Sequence, residues 1–249
     1  MFSETNIEEI DLSYFNSSLV TSINYMFYNC KNLTSINFSN IDTSLVTSMK
    51  NLFYNCPLLT NLDLSTFNTS SVTNMKYMFF NCSNLTSLDL SYFDTSKVNN
   101  MYGMLGYGNF ITLNLSNFGT SNVIDMANMF CNCKQLNILD ISNFNTSKVT
   151  SMKNMFYYCK KLTILNLANF VTSKIQSMNG MFRGCSGLIT LDISSFDFSK
   201  VLDMSYLFYG CSKLLKLDMT NFNTCKLEKA DYMFANLKYF KILNLSNFK

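Results

Sequence analysis

Nine cysteines and no histidine are where any chemistry in this 249-residue chain has to start. The usual base of a serine or cysteine triad is therefore missing. Seven of the cysteines, Cys30, Cys56, Cys82, Cys133, Cys159, Cys185 and Cys211, form one column whose steps are 26 residues, or 51 across a single gap. A zinc site needs four ligands converging on a point, whereas a column strings them along an axis, so neither a metal nor a cofactor is expected. Successive members would sit close enough for a disulfide to be conceivable. However, Gly108 and Leu237 stand in the same column, and small buried thiols filling a tight corner account for it better. Cys131 and Cys225 fall outside the column and are expected to be the exposed, reactive thiols.

Carboxylates are the other candidate chemistry. Asp11, Asp63, Asp89, Asp140, Asp192 and Asp218 share a column with Asn37, Asn114, Asn166 and Asn244. Asp63 with Asp89, and Asp192 with Asp218, occupy adjacent repeats, a spacing near the ~5 Å of a retaining glycosidase pair. A carbohydrate-active solenoid is thus the enzymatic alternative. Against it, an active site is unique while this column runs end to end, and asparagines in the gaps relieve like-charge repulsion. The chain is read as non-enzymatic. A third array, Thr43, Thr69, Thr95, Thr120, Thr146 and Thr172, suggests a hydroxyl ladder for an ice or crystal surface, yet each threonine precedes a serine in a turn. "GYG" at 106–108 is not followed by Gly-Lys, so no phosphate loop is present.

What must position these groups is a repeat. "MFYNC" (26–30) returns as "LFYNC", "MFFNC", "MFCNC", "MFYYC", "MFRGC" and "LFYGC". Phe2, Phe27, Phe53, Phe79, Leu105, Phe130, Phe156, Phe182, Phe208 and Phe234 mark steps of 25 or 26 residues, a period that signifies a solenoid. Within each unit "LDL" (88–90) alternates as a half-buried strand does, Leu88 and Leu90 inward, Ser87 and Asp89 outward. The following "DTS" or "NTS" is turn chemistry, because Asp and Asn bond their own backbone two residues on. Val72, Met75, Met78 and Phe79 are spaced 3, 3 and 1, which predicts a short helical or 3₁₀ return. One coil cannot bury its apolar edge alone, but stacked coils share a core. The reading is a single solenoid over 1–249, about nine to ten repeats of 25 or 26 residues. An irregular junction at 106–113, where one residue is dropped, is expected to be a local defect with higher mobility or a slight kink.

Charge is distributed unevenly. Residues 1–96 hold three lysines and eight acids, a net −5, and residues 97–249 are net +8. A basic half attracts anionic polymers at long range, but no nucleic-acid motif interleaves aromatics with the lysines. No apolar run approaches the ~20 residues of a spanning helix, so membrane insertion is not expected. The N-terminus lacks the basic start and apolar stretch of a signal peptide.

The joint recurrence of "MFxxC", "LDLSxF" and "DTSxV" over essentially the whole chain resembles the BspA-like, or treponeme-type, leucine-rich repeat. It departs from the general leucine-rich pattern in carrying Phe or Ile where many repeats have Asn or Cys. The resemblance implies a right-handed superhelix of short parallel strands in a cell-surface or secreted protein that adheres to host or neighbouring-cell macromolecules. A purely structural segment of a larger protein is the other alternative. Two faces are candidates for a protein ligand. The outward strand face carries Asp63, Asp89, Ile138, Asp140, Ile164, Asn166, Asp192 and Asp218, with Ile138 and Ile164 as its apolar spot. The position after the column Phe carries Tyr28, Tyr54, Phe80, Tyr157 and Tyr209, residues favoured at interfaces. An acidic start (Glu4, Glu8, Glu9) and basic finish (Lys238, Lys241, Lys249) also suggest end-to-end self-association.

Overall fold

The computed structural model describes residues 1–218, 222–241, 243, 245 and 248. Met219, Ile242, Asn244 and Lys249, which the repeat assigns to the last strand segments, the outward column and the basic end, lie outside the described residues.

Two parallel ladders join successive coils. The first is the one that "LDL" alternation points to. There β1 (Glu9–Asp11) pairs in parallel with β2 (Ser35–Asn37), Glu9 opposite Ser35 and Asp11 opposite Asn37. Later coils show this ladder only as single bridges, Asp89 with Asn114 and Thr190 with Lys216. The period-two burial persists, with Leu88 and Leu90 buried between exposed Ser87 and Asp89. The second ladder is more continuous and lies where the spacing suggests a helical return. Parallel bridges link Ser22, Ser48, Asn74, Asn100, Asp125, Ser151, Ser177, Asp203 and Lys229 in unbroken succession. The architecture is a repeat solenoid.

The return segment is a correction, because no helix or 3₁₀ segment occurs among the described residues. Its i→i−3 bonds fall on alternate residues: Met78 N–H donates to Met75 O, Phe80 to Tyr77 and Cys82 to Phe79. Tyr77 and Asn81 have φ of +57° and +60°, and a right-handed helix cannot pass through left-handed residues. Positive φ at the third residue of a turn suits Asn or Gly, which hold these columns at Asn51, Asn55, Gly103, Asn128, Asn154, Gly180 and Gly210, among others. The N–H groups between the turn bonds reach across to the next coil. Tyr77 donates to Tyr102 O, Phe79 to Met104 O and Asn81 to Gly106 O, at 2.8–2.9 Å. Every second amide closes its own turn, and the others stitch the coils together.

The core is the set of apolar columns. Phe27, Phe53 and Phe79 stack at 5.5 and 5.6 Å between centroids with near-parallel planes. Beyond Leu105 the stack resumes through Phe130, Phe156, Phe182 and Phe208 at 5.7–5.8 Å. Two buried polar ladders flank it. Each column thiol donates to the carbonyl of the column residue in the preceding coil, as Cys56 does to Phe27 O (2.9 Å), Cys82 to Phe53 O (3.1 Å) and Cys185 to Phe156 O (2.9 Å). In the first coil Thr5 takes the cysteine's place and donates to Phe2 O at 2.7 Å. The threonine column is equally internal. Thr146 Oγ1 donates to Val171 O (2.9 Å) and accepts from Val171 N–H (2.7 Å). Thr43, Thr69, Thr95, Thr120, Thr146 and Thr172 are all buried, so this column is a rung between coils and presents no hydroxyl array to a crystal surface.

The junction at 106–113 keeps hydrogen bonds to both neighbouring coils. Coil-to-coil bonds continue through it, from Leu105 N–H to Met129 O and from Ile111 N–H to Thr86 O, both 3.0 Å. Bulk has been exchanged between two columns. Gly108 stands in the cysteine column and Phe110 in the column of Leu33, Leu59, Leu85 and Leu136. The fully buried Phe110 ring fills the vacated corner, and a Cβ added at Gly108 would lie 1.9 Å from it.

One cysteine reading is overturned. Cys131 is buried, and only Cys225 is exposed. Cys131 follows the column Phe130, so its side chain is covered by Tyr107 and Gly106 of the coil before. Burial pushes the thiols of Cys82, Cys131 and Cys211 up to about 12, leaving almost no thiolate near neutrality. A thiol reagent at pH 7–8 is therefore expected to label Cys225 in the native protein, with the other eight reacting only on unfolding. Native labelling of Cys131 at a comparable rate, read by peptide mass spectrometry, would refute this.

Candidate interaction surfaces

The outward aspartates are turn residues first. Asp63, Asp89, Asp140 and Asp192 each accept the backbone N–H two residues on, at Ser65, Ser91, Ser142 and Ser194, at 2.9–3.0 Å. Bonds from the serine hydroxyl and backbone hold these carboxyls below their ordinary value. A glycosidase acid needs the opposite shift, so the arrangement suits anchoring the chain after each strand segment better than acid catalysis. Asp218 and Asn166 are exposed in the same column, and Asn166 closes the equivalent turn onto Ala168 N–H at 3.1 Å. Among the described residues no three His, Cys, Asp or Glu side chains converge as metal ligands.

Ile138 and Ile164 are 69% and 72% exposed, and they are not alone. The position just before the column of Ile138 and Ile164 is threonine in several coils (Thr34, Thr60, Thr86 and Thr163), but Ile111, Ile189 and Leu215 hold it elsewhere. All three are exposed, so the apolar spot becomes a zigzag stripe over five consecutive coils. Sequence reasoning missed these three because it compared residues within a single column. The signal was there in the substitution of aliphatic for threonine one place earlier. Lys134, Lys160, Lys161, Lys213 and Lys216 are exposed around the stripe. A hollow of about 400 Å³ beside it is lined by Ile111, Gln135, Asn137, Lys160, Lys161, Thr163, Gly187 and Lys213. Gly187 lets the coils approach closely there, since a Cβ would meet the Lys160 carbonyl at 2.6 Å.

The aromatic candidates divide into two groups. Tyr28, Tyr54 and Phe80 form one stack at 5.0 and 5.2 Å. Tyr157 and Tyr209 do not join it, because Gly106 and Cys131 occupy the two intervening places. Arg183 lies in the coil between Tyr157 and Tyr209, its guanidinium 5.6 and 5.0 Å from their ring centroids. All five rings are half-buried.

A family model described as "Mycoplasma protein of unknown function, DUF285" matches residues 21–138, 80–187 and 160–249. No curated protein matches the chain. Among solved structures, the chain is similar to a leucine-rich repeat protein from Bacteroides ovatus at 17% identity, covering 93% of this chain and 77% of that one, TM-score 0.28. A leucine rich cell surface protein from Faecalibacterium prausnitzii is 17% identical over 90% of this chain and 83% of that one, TM-score 0.33. A leucine-rich repeat protein from Eubacterium ventriosum is 17% identical over 86% and 59%, TM-score 0.44.

Proposed function

We propose that this chain, which belongs to the DUF285 family, is a non-enzymatic protein-interaction scaffold of the BspA-like kind. It acts at a cell surface or after secretion, as an adhesive right-handed superhelix. The observation that supports this most is the stripe Ile111, Ile138, Ile164, Ile189 and Leu215, exposed on five successive coils. A contiguous apolar patch rimmed by polar groups is the usual mark of a binding surface. Its border of five lysines favours a partner with an acidic rim, which would also be steered to it at long range.

The test is binding of the purified chain to immobilised extracellular-matrix and cell-surface proteins, with Ile138→Asp/Ile164→Asp as the comparison. A ligand bound by the wild type is expected to lose at least about tenfold in affinity, as central interface residues do. The thermal midpoint should stay put, since surface changes of this type perturb stability little. Binding unaffected by the double substitution would place the interface elsewhere. No ligand from either class would favour a purely structural segment.

A further inference from the structure

The gap in the aromatic column is itself a built site. We propose that it binds an acidic saccharide, a pyranose bearing a carboxylate. Where Gly106 and Cys131 replace the rings, a trough of about 380 Å³ opens across the coils, within the size range of small-ligand sites. Tyr77, Phe80, Tyr102 and Tyr107 wall one end, and Tyr157 and Arg183 the other. The first wall is held in place by packing. The Phe80 ring leans over Gly106, where a Cβ would come within 2.9 Å of it, and Tyr77 leans over Gly103 in the same way.

The chemistry of the lining points to a sugar. Ring faces at both ends match the C–H faces of a pyranose. Between them lie the side-chain amides of Asn128, Asn154 and Asn179, groups that donate and accept as hydroxyls require. Among the described residues, those of Asn128 and Asn154 make no hydrogen bond within the protein. Arg183 is the sole arginine of the chain. Its guanidinium is held over Tyr206 (4.4 Å), Tyr209 (5.0 Å) and Tyr157 (5.6 Å). Its Nε is buried and has no hydrogen-bond partner. A guanidinium fixed by stacking is suited to a carboxylate, which it meets through two parallel bonds from its terminal nitrogens. The site uses a different part of each coil from the isoleucine stripe, and each proposal stands or falls separately.

The experiment is ligand-observed NMR and calorimetry with cellobiouronic acid and cellobiose, which differ in a carboxylate for a hydroxymethyl group. A tyrosine-sulfated peptide serves as a competing class of probe. The uronate is expected to bind at least tenfold more tightly than cellobiose. Arg183→Gln should abolish that preference, Arg183→Lys should recover only part of it, and Tyr157→Ala should weaken both sugars. Cys131→Tyr places at this position the residue that Tyr157 supplies one coil on, and should block the trough once circular dichroism shows that the variant folds. No saturation transfer to either sugar, equal binding of the two, uronate binding that survives Cys131→Tyr, or binding of the sulfated peptide alone would each overturn the assignment.

Discussion

Phe156→Ala is expected to destabilise the protein by about 3–5 kcal/mol, the range for emptying a fully buried phenylalanine site. Phe156 is stacked on both sides, by Phe130 at 5.7 Å and Phe182 at 5.8 Å. Its replacement leaves a void that two neighbouring rings cannot both close. Phe79 stacks only on Phe53, at 5.6 Å, and faces Leu105 on its other side, so Phe79→Ala should fall at the lower end of that range. Leu105→Ala should cost less again, about 2–3 kcal/mol, because fewer buried carbons are removed. Urea titrations of the three variants, with slopes compared because repeat arrays need not unfold in two states, would show the order. Equal losses at the three positions would sink the ranking.

Restoring the consensus cysteine at the junction should do harm. Gly108→Cys places a Cβ 1.9 Å from the Phe110 ring, and that ring is fully buried with nowhere to move. Overpacking of this kind costs about 1–3 kcal/mol, and the upper figure is expected here. Phe110→Leu alone should cost roughly 1–2 kcal/mol through the cavity it opens. Together the two changes return the usual residue types to both columns, although they stand two residues apart here and three apart at Cys82 and Leu85. The double variant should therefore lose less than either sum or clash implies, with a coupling of at least about 1 kcal/mol. Additive losses would show that the glycine and the phenylalanine are not exchanging volume.

Much of this was legible because a repeat states each rule several times. The column of Phe, the inward Leu88 and Leu90, the buried thiols and the Asx turns of "DTS" follow from residue type and period, and the structure shows each of them. The return path was misread because 3, 3, 1 spacing of Val72, Met75, Met78 and Phe79 fits both a helix and a chain of turns. What separates them is the sign of φ at Tyr77 and Asn81, and tyrosine at such a position gives no warning, whereas the Asn and Gly in the same column do. Cys131 was misjudged because a residue outside its column can still be covered by the preceding coil. The trough was illegible for a related reason. It is made by side chains that are missing from a column, and their absence means something only once the neighbouring rings are known to lean across it.

The alternation of amides, one closing its own turn and the next reaching the following coil, also sets how the molecule yields to force. The bonds between coils run along the stack, so tension between the two ends loads them one coil at a time and not all at once. Each coil that peels away releases 25 or 26 residues, on the order of 80–90 Å of slack at full extension, in place of the ~5 Å it occupied in the stack. A tether made this way lengthens in steps under load while the coils still stacked keep their surfaces intact.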